Sequence, residues 1–214
     1  MDGLKGSFSE GLWMADLVRV DLFVEDRAQE TFVGALVRRV LWEAGQGATV
    51  RSRSALGGHG RALTELEAFQ KAVRGQQPGL NVPDILIIAR DANCSAFGEA
   101  RKEIVDRIDP NVFPTVAIAC PDPHVERWFL ADPISFRAVV GADPRPGPRK
   151  CTRDLYKRRL AEAVRKGGNP ATLGGIEFAS DLVEAMDLFR AGKNEPSLRH
   201  FVDDIRKAAT LVES

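Results

Sequence analysis

Asp84-Ile85-Leu86-Ile87-Ile88-Ala89, running into Arg90-Asp91-Ala92-Asn93, decides the fold class of this chain. A strand with one wet face alternates apolar and polar residues. A continuous apolar, β-branched run belongs to a strand covered on both faces, as in parallel sheets. Pro83 marks where it starts. Upstream, Val18-Arg19-Val20-Asp21-Leu22-Phe23-Val24 reads the same way and runs into Glu25-Asp26-Arg27-Ala28-Gln29-Glu30. Downstream, Thr115-Val116-Ala117-Ile118-Ala119 ends at Cys120-Pro121-Asp122-Pro123, and the more polar Ala48–Arg53 stretch reads as a strand nearer an edge.

Helical patterns separate these strands. Asp26 can cap a helix, with Gln29 completing a capping box; Val33, Leu36, Val37, Val40 and Leu41 carry its apolar spacing until Gly45 and Gly47. A second helix carries Leu63, Leu66, Phe69 and Val73, and a third, charged helix runs from about Phe97 to Ile108. After the fourth strand, Asp122 is a natural N-cap and Pro123 a natural first helical residue. Four strands alternating with helices predict an α/β, Rossmann-like parallel four-stranded sheet flanked by helices. Past the stiff Asp143-Pro144-Arg145-Pro146-Gly147-Pro148 loop only helices are expected, over Leu155–Val164, Ile176–Phe189 and Leu198–Leu211. The organisation expected is a leader arm over 1–16, the α/β domain over 17–140, and a helical C-terminal lobe over 141–214 packed on it.

The totals bound the function. At 214 residues the chain can bury a substantial core, and its 44% hydrophobic and 28% charged content is that of a globular protein. Basic and acidic residues number 30 each, so global charge lends no support to nucleic-acid binding, though a local basic face remains open. No apolar stretch reaches the roughly 20 residues of a membrane span. The N-terminus lacks the layout of a signal peptide. Cys94, Cys120 and Cys151 are odd in number and form no C-x-x-C pair, which predicts reduced thiols in a cytoplasmic protein.

Acids stand at the C-terminal ends of three strands: Glu25, Asp91, and Asp122 with Glu126. Right-handed crossovers bring successive strand ends to one sheet edge, and ligands collect there. Converging carboxylates repel unless a cation neutralises them, so the pattern points to Mg²⁺, which takes hard oxygen ligands. Glu30 shares a helix face with Val33, Val37 and Leu41, and Glu126 lies beside Trp128 and Phe129. An acid among such neighbours needs a metal or an arginine as partner. The Gly57-Gly58-His59-Gly60 loop opens a helix at the same edge, where Gly58 and His59 amides can receive a phosphate, and Lys150 and Lys157 follow the proline-rich loop. The three histidines show no metal-ligand spacing, and nothing suggests covalent catalysis.

At these residues the chain resembles the Toprim fold, the catalytic domain shared by topoisomerases, primases and OLD-type nucleases. The resemblance rests on Glu25 and Glu30 in a V-E-x-x-x-x-E pattern and on the strand ending in Asp91. More closely, the chain is similar to a small stand-alone Toprim-like family often encoded beside an ATPase in phage-defence or abortive-infection pairs. There the fourth strand is followed by P-x-x-E-x-W-x-L-A-D, here Pro123-His124-Val125-Glu126-Arg127-Trp128-Phe129-Leu130-Ala131-Asp132. The similarity covers roughly residues 17–212. It departs at Asp26, where many Toprim proteins have glycine, and at Asp91-Ala92-Asn93, where Asp-x-Asp is expected.

The resemblance implies a metal-dependent nuclease, a hydrolase acting on phosphodiester bonds. Asp91, Asn93 and Glu126 would hold Mg²⁺ or Mn²⁺, with Glu25 a further ligand or the general acid/base and Glu30 a supporting ligand. It implies nucleic acid as substrate and an AAA- or ABC-type ATPase as partner, and leaves a homodimer open. A second reading is a catalytically inactive Toprim-like subunit that regulates an ATPase, favoured by zero net charge and by Asn93. A third, a flavodoxin- or receiver-like regulatory domain, shares the sheet, but its usual acidic pair and later lysine do not fit.

Overall fold

The computed structural model describes residues 17–53 and 60–213; the leader arm and the Gly57-Gly58-His59 stretch lie outside them. Four strands, β1 (Val18–Phe23), β2 (Ala48–Ser52), β3 (Ile85–Ala89) and β4 (Val116–Ala119), form one sheet in the order β2-β1-β3-β4. All pairings are parallel. Each strand is followed by a helix: α1 (Arg27–Glu43), α2 (Arg61–Arg74), α3 (Phe97–Val105) and the short α4 (Glu126–Phe129). The tail adds α5 (Pro133–Val140), α6 (Leu155–Lys166), a 3₁₀ turn (Ile176–Phe178), α7 (Ala179–Ala185), α8 (Leu188–Asn194) and α9 (Pro196–Val212). Among the described residues no helix is long and apolar enough to cross a membrane.

The uninterrupted apolar runs follow from two separate cores. Val20, Leu22, Ile85, Ile87, Ala117 and Ala119 face a large cluster built with α1 and the tail helices, including Phe32, Trp128, Phe136 and Phe201. Phe23, Leu86, Ile88 and Ile118 face a smaller cluster with Leu66 and Phe69 of α2 and Ile104 of α3. Edge strand β2 alternates half-buried and exposed positions, as its polar sequence requires. Asp21, buried in β1, is neutralised from β2 by Arg51 at 3.0 Å and from just beyond it by Arg53 at 2.8 Å.

Three sequence-based expectations need correction. The last strand does not pass straight into a helix at Asp122–Pro123: the peptide bond there is cis and α4 begins at Glu126. The chain instead continues beside the β3 loop, where Ala92 N donates to Pro121 O and Asn93 N to Pro123 O, and Asp122 accepts from Arg149 Nε at 2.6 Å. The stretch from Ile176 to Phe189 is not one helix. It breaks at Met186-Asp187, where Asp187 turns to cap α8 through Arg190 N and gives its own N–H to Asp132. The break expected at 192–196 narrows accordingly, since α8 continues to Asn194. Finally, Cys94 and Cys151 are disulfide-bonded, with 5.1 Å between their Cα atoms, and only Cys120 is free. Their 57-residue separation hid a pairing that exists only once the proline-rich loop folds back onto the sheet edge.

Candidate functional site

The strand order places a topological switch point between β1 and β3: β1 connects outward to β2 on one side, and β3 to β4 on the other. Crossovers leave in opposite directions there, which opens a crevice beyond the strands' C-terminal ends. Glu25 follows β1 and Asp91 follows β3, so the two acids stand on either side of that crevice. A cavity of about 500 Å³ occupies it, lined by Glu25, Asp26, Asp91, Asn93 and Glu126 on the sheet side and by Arg153, Tyr156 and Lys157 on the tail side.

Gln29 stitches the crevice together. Its N–H donates to the Asp26 carboxylate at 3.0 Å, the expected half of the capping box. The reciprocal half is displaced by one residue: Gln29 Oε1 accepts from Glu25 N at 2.9 Å, while Nε2 donates to Asp91 Oδ1 at 3.0 Å. It is 1% exposed. Glu25 Oε1 accepts from Gly60 N at 2.5 Å, with Arg90 Nε 4.0 Å away.

Asp91 also accepts from Val125 N at 3.2 Å and pairs with His124 Nδ1 at 3.2 Å. Burial raises the Asp91 pKa, opposed by the bonds from His124 and Gln29. His124 is raised in turn, chiefly by its bond to Asp91. Its Nε2 is buried without a partner among the described residues. Asn93 holds a left-handed backbone (φ 54°), which a short polar side chain tolerates, and its amide donates to Asp91 O at 3.0 Å.

Glu126 is the most exceptional group. It is 2% exposed, and among the described residues no other side chain donates to its carboxyl. Burial, with Asp91 nearby, pushes it up to about 7. The arginine beside it does not help: Arg127 turns away to Glu195 at 2.8 Å and to the Tyr156 hydroxyl at 3.1 Å. Lys157 approaches from α6 but lies nearer Asp26, at 3.9 Å.

The donors gathered on the sheet side are carboxylate and amide oxygens, the kind a hard divalent cation takes. The Glu126 carboxyl, buried and hydrogen-bonded to its own backbone N–H, is the feature that fits such an ion best. Among the described residues, no three His, Cys, Asp or Glu side chains are gathered at ligand spacing.

Of the residues singled out from sequence, Glu25, Asp91, Asn93 and Glu126 come together at the cavity. Glu30 and Lys150 do not line it. Glu30 is half-buried on α1, one residue beyond the buried Gln29, and Lys150 is exposed, with its backbone N–H donating to Tyr156 Oη at 2.9 Å. Gly58 and His59 lie outside the described residues. Gln29, His124 and Tyr156 were not legible as site residues. The one available signal was Gln29 itself, a polar residue in the apolar stripe of Phe32, Val33, Leu36 and Val37.

Comparison with protein-family models, curated proteins and solved structures finds no match to this chain.

Proposed function

We propose that the chain is a Toprim-like, metal-dependent phosphodiesterase of the nuclease type, with the switch-point cavity as its active site. The observation that supports this most is the convergence of Glu25, Asp91, Asn93 and Glu126, from three separate strand ends, on one cavity facing Lys157 and Arg153. Asp91, Asn93 and Glu126 are the residues to hold Mg²⁺ or Mn²⁺, with Glu25 beside them. A bound divalent ion polarises the phosphoryl oxygen and activates water. Lys157 and Arg153 meet the anionic substrate from the opposite wall. Gln29 and His124 fix the Asp91 carboxylate, so that its oxygens are not free to swing. Nucleic acid is the substrate proposed, and an ATPase encoded nearby the partner.

The test is cleavage of plasmid and single-stranded substrates with Mg²⁺ or Mn²⁺. Asp91→Asn and Glu25→Gln are expected to abolish it while remaining folded; full cleavage by both variants overturns the reading.

One observation favours the second reading, a regulatory subunit of an ATPase complex. Glu25 and Asp91 already have internal donors in Gly60 N, Gln29 and Val125 N. Metal titration separates the two, since a binding subunit without a metal site gains no thermal stability from Mg²⁺ or Mn²⁺.

A further inference from the structure

The disulfide sits at the mouth of the cavity. Cys94 follows Asn93 directly and lies three residues after Asp91, in the loop leaving β3. Cys151 lies in the segment that leads into α6, two residues before Arg153 and five before Tyr156. Both cysteines line the cavity. The bond therefore joins the wall that carries the acids to the wall that carries the cations. Cys94 is exposed and Cys151 half-buried, so a reagent reaches the bond from solvent.

Away from the bond, Lys157 Nζ lies 3.9 Å from Asp26, and Arg127 donates to Gly147 O at 3.3 Å and to Tyr156 Oη at 3.1 Å, with Tyr156 in turn holding Pro148 O and Lys150 N, so the loop up to Lys150 stays anchored without the disulfide. Arg149 crosses the same gap, with Nε on Asp122 at 2.6 Å and Nη2 on Ser95 O at 2.9 Å and Asn93 O at 3.4 Å. Arg149 is itself exposed, and an exposed ion pair holds a loop weakly against solvent. Neither hydrophobic cluster includes Cys94 or Cys151, so the packed core on each face of the sheet is built without the two sulfurs. The third thiol is set apart from this chemistry. Cys120 is buried, and that burial pushes its pKa up to about 12, leaving almost no thiolate to attack the bond.

We infer that Cys94–Cys151 is a reversible redox modification site, a latch that holds the 150–153 segment over the acidic cavity when oxidised and releases it when reduced by a dithiol. A thiolate of the dithiol attacks Cys94 Sγ, the Sγ–Sγ bond breaks, and Cys151 leaves as a thiolate that takes up a proton. The reductant's second thiol then attacks the mixed disulfide, releasing Cys94 as a thiol. Two electrons and two protons pass to the protein, and the dithiol departs as a cyclic disulfide. The latch stands whether or not the cavity cleaves phosphodiesters, because neither the bond nor its release involves the metal ligands.

The experiment uses the intact chain, air-oxidised or treated with dithiothreitol. Maleimide labelling under native conditions is expected to find no reactive thiol in the oxidised protein and two in the reduced one, with Cys120 labelled only after denaturation. A protease cutting after Arg and Lys is expected to cleave after Lys150 and Arg153 on the order of tenfold faster after reduction, because cleavage tracks local opening. Cys94→Ser without reductant should match the reduced wild type in this cleavage, with its thermal unfolding showing that it is folded. Labelling of Cys94 and Cys151 in the air-oxidised protein overturns the inference. So does cleavage of the segment at the same rate before and after reduction of the wild type, a comparison that needs no variant to fold.

Discussion

Replacing Glu126 with Gln should make the protein more stable at neutral pH and above, and the gain should depend on pH in a defined way. The Glu126 carboxyl rises from an ordinary 4.5 to about 7 in the folded protein, because burial and the nearby Asp91 outweigh its own backbone N–H and Lys157. Between those two values the folded chain binds a proton that the unfolded chain has lost, so stability falls as pH rises through the window. At about 1.4 kcal/mol per pH unit, the full penalty above pH 7 is about 3 kcal/mol. Gln carries no such penalty, and its own packing cost does not vary with pH. Asp91 and His124 titrate in both proteins and largely cancel in the comparison. Urea unfolding of wild type and Glu126→Gln, with chelator, at about pH 4.5 and about pH 8 reads the difference. The variant's stability relative to wild type should improve by about 2–3 kcal/mol between the lower and higher pH. A relative stability that does not change with pH would mean that the carboxyl is solvated or paired in the folded protein.

Other perturbations test the rest of the architecture. Gln29→Ala removes a buried amide that serves both Glu25 N and Asp91, and should cost about 2–3 kcal/mol in chemical denaturation; a loss below about 0.5 kcal/mol would mean the stitch is not formed. Arg127→Met leaves Glu195 buried without its cation, and a loss of about 3 kcal/mol is expected in the same assay, against little change if the pair is solvated. Gly167→Ala drives a Cβ into Val140 O, a backbone atom that cannot swing aside, so α5 and α6 must separate locally. A fall in Tm of several degrees is expected there, whereas Gly98→Ala, with open space around it, should leave Tm nearly unchanged.

The sheet was legible because its signal is local. Ile85–Ala89 and Val18–Phe23 are apolar on both faces since a core lies on each, and that shows in the order of residues alone. Acids at strand ends were legible for the same reason, because a parallel sheet carries every strand's C-terminus to one edge. What the sequence did not disclose depends on contacts distant along the chain. Gln29 reads as a capping residue, and its bond to Asp91 spans 62 positions. The choice of Gln29 over Glu30 for the buried face turns on how α1 is rotated against β1, which a stripe of valines and leucines allows to differ by one residue. The Cys94–Cys151 bond and the Arg149 bridge likewise exist only because the proline-rich loop returns to the sheet edge. Asp122 looked like a cap because Asp-Pro before an apolar run usually is one; Arg149 takes its carboxylate instead.

The proposed function requires that acids from separate strand ends form one divalent-cation site. Calorimetric titration of the apo protein with Mn²⁺ at about pH 7.5 tests it most directly, with Asp91→Asn and Glu126→Gln measured alongside. Saturable binding to wild type is expected, lost or greatly weakened in both variants while each remains folded. No saturable binding to wild type, or binding unchanged in both variants, would contradict it.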